Sequence, residues 1–133
     1  MSDTTVDAID QWHQMMATGR YDGLRELLSG DCVFWSPVVH TPQRGRDITL
    51  MYLTAAGKVF DTDFRYVREI RSADTAVLEF ECSVDDIQVN GIDMIQVDNN
   101  QIIDFKVMIR PLQAVNKIHE KMMAMLAQAK AAS

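Results

Sequence analysis

Asp93 is the side chain of this sequence best placed to do chemistry. In Ile92–Val97 it shares parity with Ile95 and Val97, so strand alternation turns its carboxyl toward the apolar side. An acid there must be paired, hydrogen-bonded or protonated, because a lone buried carboxylate is strongly disfavoured. Desolvation raises such a pKa toward neutrality, which suits a general acid or base. The structural alternative makes Asp93 the partner of a buried N–H, of a basic side chain or of the Asn90-Gly91 turn. His40 lies on a stretch flanked by Pro37 and Pro42, where a side chain can face a pocket mouth. An imidazole there suits proton transfer with Asp93 or a substrate carbonyl, or is an ordinary surface group. Arg110 alternates with Asp104 and Lys106, away from Ile103, Phe105, Val107 and Ile109, and turns inward only through a bulge. It either ties its strand to a neighbour or pairs with Asp93 or an anionic ligand group. Glu79 and Glu81 alternate against Leu78, Phe80 and Cys82, the mark of a solvated or interface face.

These residues need elements to hold them. Val6, Ile9, Trp12/His13 and Met16 form one helical stripe over residues 5–18, with Asp3, Thr4 or Thr5 available as caps. Tyr21, Leu24, Leu27 and Leu28 predict a second short helix, ended by Ser29-Gly30-Asp31. Cys32–Trp35 reads as a strand, and Ser36-Pro37 with Thr41-Pro42 make the loop that carries His40. Ile48, Met51, Tyr52, Ala55 and Val59 restore helical spacing. Beyond residue 64 the period falls to two. Phe64, Tyr66 and Ile70 share one parity, and Leu78, Phe80, Cys82 and Val84 share another. Ile87–Val97 and Ile102–Ile109 follow, joined by the polar turn Asp98-Asn99-Asn100-Gln101. Asn90-Gly91 is either a hairpin turn or a glycine bulge within one strand. After Pro111, Leu112, Val115, Ile118, Met122 and Leu126 predict a final amphipathic helix. Helices first and antiparallel strands afterwards predict an α+β fold.

Composition narrows the functions. The chain has 133 residues, 47% hydrophobic and 24% charged, with a net charge of −6, the balance of an ordinary globular protein. An acidic chain with no run of Lys or Arg argues against nucleic acid and anionic membranes as partners. The start of the sequence has neither a basic segment nor an apolar signal core, so a cytoplasmic location is expected. Cys32 and Cys82 read as buried free thiols. His13, His40 and His119 are scattered, and no metal-ligand spacing or phosphate loop appears, so neither metal nor cofactor is expected.

Three segments, in this order of elements, carry a family likeness: Phe34-Trp35-Ser36-Pro37-Val38-Val39-His40-Thr41-Pro42-x-x-Gly45, Gly91-x-Asp93-Met94-Ile95, and Met108-Ile109-Arg110-Pro111-Leu112. The sequence resembles the nuclear transport factor 2-like superfamily over roughly residues 5–115, and within it the SnoaL-like, polyketide-cyclase-related proteins. The resemblance implies a cone-shaped α+β barrel, in which a strongly curved antiparallel sheet wraps the N-terminal helices and encloses a pocket. Residues 1–133 are then one SnoaL-like domain with a core at about 5–115 and a C-terminal helix at about 112–130. The superfamily holds ketosteroid isomerase, scytalone dehydratase, limonene epoxide hydrolase and polyketide cyclases, together with many non-catalytic binding domains, so fold alone does not choose a function.

The resemblance also implies homodimers through the outer sheet face, here Glu79, Glu81 and Ser83 or Lys106 and Met108. Proton-transferring carboxylates of the superfamily sit on inward strand positions like that of Asp93. The expected function is therefore binding of a small hydrophobic or partly polar molecule. The alternative is a cofactor-independent isomerase, cyclase, dehydratase or hydrolase in which Asp93 moves a proton while His40 or a Tyr hydroxyl polarises the substrate oxygen. Trp35, Tyr52, Tyr66, Phe80, Met94, Phe105 and Arg110 are the candidate ligand contacts. A filled cavity would instead leave a purely structural dimer.

Overall fold

The computed structural model describes residues 7–60 and 62–132, with side chains to residue 128. The first helix, α1 (Ala8–Thr18), is capped by Asp7, whose carboxylate accepts from the Asp10 N–H at 2.9 Å. The caps expected at Asp3, Thr4 or Thr5 lie outside the described residues. Gly19, at φ 70°, ends the helix in the left-handed conformation that glycine adopts without penalty. Of the stripe read from the sequence, Ile9 and Trp12 are buried and Met16 packs partly buried against the core, with Met15, outside that stripe, buried as well; Val6 lies outside the described residues. The second helix, α2 (Leu24–Leu27), is a single turn.

The first strand, β1 (Leu28–Trp35), begins four residues before Cys32. A short β2 (Gln43–Arg44) and the helix α3 (Arg46–Val59) follow, and α3 buries Thr49, Leu53 and Val59. Four long strands come next: β3 (Thr62–Arg71), β4 (Thr75–Val84), β5 (Ile87–Asp98) and β6 (Gln101–Arg110). The last helix, α4 (Leu112–Ala132), closes the chain. The sheet order is β2-β1-β6-β5-β4-β3, and the sheet curls around the helices into an α+β cone. Strands β3 to β6 form an antiparallel meander.

The sheet departs from the wholly antiparallel expectation at one seam. Strand β1 pairs with β6 in parallel, through Val33↔Asp104 and Phe34↔Phe105. A parallel pair needs a long crossover, and here α3 and the meander supply it. Asn90-Gly91 is neither a turn nor a break, for Gly91 pairs with Phe80 on one side and Ile109 on the other. A Cβ at position 91 would come within 2.5 Å of the Met108 carbonyl oxygen and 2.6 Å of Phe80 Cζ. Glycine therefore lets Phe80 lie across β5.

Two bulges overturn the parity expected from the sequence. On β3 the pairing runs Tyr66↔Phe80 and then Arg68↔Glu79, leaving Val67 as an extra residue. Ile70, expected beside Phe64 and Tyr66, is consequently turned outward and 64% exposed. On β6 the pairing passes from Val97↔Ile102 to Gln96↔Asp104, so Ile102 rather than Ile103 is fully buried. The inner residues Leu78, Phe80, Ile95, Ile102 and Phe105 pack with Trp12 and Ile118 in one core. Outside, Arg65–Glu81 and Arg68–Glu79 bridge β3 and β4, so the two glutamates lie on the outer face.

Candidate functional site

Asp93 pairs with Leu78 on β4 and Val107 on β6, two inward positions, and alternation places its carboxyl inside the cone. It is one of two buried polar residues, the other being Thr49, among the described residues. The Tyr66 hydroxyl donates to Asp93 Oδ2 at 2.6 Å. The Trp12 indole N–H donates in turn to the Tyr66 oxygen at 2.8 Å. Because an indole N–H can only donate, the hydroxyl hydrogen of Tyr66 is left for Asp93. Helix α1, strand β3 and strand β5 thus meet in a one-directional relay.

Burial raises the Asp93 carboxyl to about 7, while the hydrogen bond from Tyr66 pulls the other way. The same burial, and then the charge of Asp93, hold the Tyr66 hydroxyl well above the usual phenol range. Tyr66 therefore stays protonated near neutral pH, and Asp93 is the group that changes state. No opposite charge offsets its desolvation, so the acid form persists to neutrality.

Asp93 lines a narrow slot of about 30 Å³ between the sheet and α3. Trp12, Leu53, Phe60, Phe64, Phe80 and Phe105 supply most of its wall, and Asp93 is the one ionisable group among the described residues that line it. The aromatics are locked against one another. Phe64 stacks on Phe80 at 5.1 Å, and Trp12 meets Phe105 edge-on at 5.0 Å. A second, apolar cavity of about 50 Å³ lies under α4 and shares Ala56, Phe60 and Val107 with the slot. Tyr52 lines this second cavity, stacked on Phe34 at 5.1 Å.

The structure brings Asp93, Tyr66, Phe80 and Phe105 together and leaves the other sequence candidates apart from them. His40 sits on an exposed bend before β2 and lines neither cavity. Trp35 lies on the outer face, its indole donating to Asp104 at 2.8 Å under the Lys106 ammonium. Met94 alternates with Asp93 and so faces outward, opposite Val77 and Lys106. Arg110 is exposed and donates to Asn90 at 3.5 Å rather than reaching Asp93, because no bulge turns the end of β6 inward. The relay from Trp12 through Tyr66 was not read from the sequence. The inward parity of Tyr66 and the apolar stripe holding Trp12 were visible, but the register that joins them was not. Among the described residues, no cluster of three His, Cys, Asp or Glu is arranged to hold a metal ion, and no helix is long and apolar enough to cross a membrane.

Residues 9–105 match the SnoaL-like domain family. No curated protein matches the sequence. Among solved structures, a steroid delta-isomerase from Pseudomonas aeruginosa is 38% identical, covering 93% of this chain and 92% of that one, with a TM-score of 0.89. An uncharacterized protein with a cystatin-like fold from Silicibacter pomeroyi is 30% identical over 88% of this chain and 83% of its own, with a TM-score of 0.82. An NTF2-like protein of unknown function from Mesorhizobium loti shares the fold at 17% identity, covering 78% of this chain and 88% of that one, with a TM-score of 0.70.

Proposed function

We propose that this chain, which belongs to the SnoaL-like domain family, binds a small, largely apolar molecule through a single oxygen that meets the Asp93 carboxyl. The observation that carries this reading is a lone ionisable group in an otherwise apolar slot, with one carboxyl oxygen already engaged by Tyr66. The other oxygen, Oδ1, is then the ligand's. In its acid form Asp93 donates there to a carbonyl; as a carboxylate it accepts there from a hydroxyl. Phe80, Phe105 and, across the second cavity, Tyr52 would make the apolar contacts. As the family resemblance implies, the protein would act as a homodimer formed through the outer sheet face.

A second reading, a cofactor-independent isomerase, draws on the neutral-range carboxyl and on the 38% identity to a steroid delta-isomerase. In it Asp93 as carboxylate takes a proton from a carbon beside a carbonyl and returns it to another carbon. That reaction needs a further donor for the developing oxyanion. The Tyr66 hydrogen is already committed to Asp93, and His40 is away on its exposed bend, so the slot offers one proton-active group where the reaction asks for two. Binding asks for only one.

The test uses a β,γ-unsaturated 3-ketosteroid as probe. Binding predicts that saturating probe raises unfolding stability by about 2.7 kcal/mol at a hundredfold excess over Kd, that Asp93→Leu weakens it, and that the conjugated enone does not form. Enone formation by the wild type, abolished in Asp93→Asn with binding retained, would establish the isomerase instead. A probe that neither stabilises the protein nor reacts removes both readings for this ligand class.

A further inference from the structure

We propose that the open pocket beside the first turn of α3 binds a small dianionic oxyanion, phosphate or the phosphate group of a monoester, between Arg44 and Arg46. The pocket measures about 540 Å³. Arg25 from α2, Gly30 from β1, Arg44 from β2, and Arg46, Asp47 and Ile48 from α3 line it, so separate elements assemble it and no one stretch of sequence displays it. Three arginines against one aspartate give it a charge opposite to that of the chain, whose net charge is −6. It shares no wall residue with the slot or with the cavity under α4, and so stands apart from the reading of Asp93.

Two of these arginines lack a counter-charge. On β3, Arg65, Arg68 and Arg71 each pair with a glutamate, and in the pocket Arg25 pairs with Asp47, which commits that carboxylate. The guanidinium groups of Arg44 and Arg46 make no ion pair or hydrogen bond among the described residues. Arg46 is the more confined. Its Nε is shut off from solvent without an acceptor, and its Nη2 lies 3.5 Å from where a Cβ at position 30 would stand. A cation held in this way is disfavoured until an anion joins it. The backbone adds donors of its own. Gly45 caps α3 without a side chain to accept, and the first bond of the helix runs from the Thr49 N–H to the Gly45 carbonyl at 3.2 Å. The N–H groups of Arg46, Asp47 and Ile48 therefore have no acceptor within the helix. A tetrahedral oxyanion has enough oxygens to meet both guanidinium forks and these N–H groups together, which a carboxylate does not.

The experiment is titration calorimetry of the full chain at about 0.15 M salt, with inorganic phosphate and glycerol 3-phosphate as probes and glycerol as the control. The wild type should bind phosphate at one site and ignore glycerol. Arg44→Gln and Arg46→Gln should each weaken phosphate about tenfold or more, as loss of a charged hydrogen bond does. Arg44 is exposed, so its variant carries the test even where Arg46→Gln fails to fold. Lys58→Gln removes an exposed cation from the last turn of α3, beyond the screening distance, and should leave affinity within about twofold. Tighter binding of glycerol 3-phosphate than of phosphate makes the ligand a monoester, and equal or weaker binding makes it free phosphate. Wild-type protein that binds neither probe overturns the proposal. So does Arg44→Gln that binds as tightly as the wild type, or a loss in Lys58→Gln as large as in Arg44→Gln, which would reduce the effect to overall charge.

Discussion

Tyr66 on β3 and Asp93 on β5 hydrogen-bond at 2.6 Å across the intervening strand β4. They are not paired with each other. Tyr66 pairs with Phe80, Phe80 with Gly91, and Asp93 lies two residues further along β5. The bond therefore depends on both side chains reaching inward over β4, and glycine at position 91 gives the Phe80 ring somewhere to lie while they do. A small residue on one strand and an aromatic on the next thus create the environment of the acid.

Stability should depend on pH through Asp93. Its folded pKa is raised from 3.8 to about 7. Between those values the folded state keeps a proton that the unfolded state releases, so stability falls as pH rises through roughly 4 to 7 and levels off above. The shift corresponds to about 4 kcal/mol across the window. Asp93→Asn cannot titrate, so its stability relative to wild type should grow over the same interval. Urea unfolding of both proteins at several pH values checks this, and parallel pH profiles would refute the buried acid.

Removing the donors should move the acid further. The Tyr66 hydrogen bond favours the Asp93 carboxylate, so Tyr66→Phe should raise the carboxyl pKa above about 7. Trp12→Phe withdraws the indole N–H that fixes the Tyr66 oxygen as acceptor, and should raise the Asp93 pKa in the same direction by a smaller amount. Each loss leaves a part-buried polar group short of a partner, at a cost of about 1–3 kcal/mol. Carbon-detected NMR titration of the Asp93 carboxyl gives the pKa values. A lowered value in either variant would mean that the relay runs otherwise.

Gly91→Ala should be among the most damaging small substitutions in the sheet. The added methyl would meet the Met108 carbonyl oxygen at 2.5 Å, and backbone cannot swing aside as a flexible side chain does. Strain of this kind costs about 1–3 kcal/mol, and displacing Phe80 would also disturb the wall of the slot. Chemical denaturation measures the loss, and full stability in Gly91→Ala would show that the strands separate there more freely than described.

Much of this was legible in the residues. The apolar stripe of Ile9, Trp12 and Met16, the helix after Gly45, the four long strands and the inward turn of Asp93 all follow from side-chain period, because helix and strand each bury one face. Period could not place the bulges, since one extra residue changes no composition yet reverses every later side chain. It also could not find the β1–β6 seam, which joins residues far apart in the chain. The outward parity of Arg110 follows from alternation, whereas nothing in a Pro-flanked loop fixes the direction of His40. The acid was readable because its own strand is regular through Asp93 and Ile95; its donors belong to other elements.

The bulge at Val67 makes the last prediction. Unbroken alternation would bury Ile70 with Phe64 and Tyr66, and Ile70→Lys would then place a charge in the core. The bulged register instead leaves Ile70 exposed and gives the inner parity to Glu69, whose Oε1 lies 2.7 Å from His13 Nε2 on α1. Burial raises the Glu69 pKa, but the hydrogen bonds from Arg71 and His13 together outweigh it and hold the carboxyl below its ordinary value, so the inner position keeps its charge by pairing. Ile70→Lys should accordingly change stability by no more than about 0.5 kcal/mol. Ile102→Ala, at the position the second bulge buries, should cost about 3 kcal/mol. Denaturant midpoints of the two variants decide the matter: a large loss from Ile70→Lys would mean that β3 runs without its bulge, and with it would go the placement of Glu69 against α1.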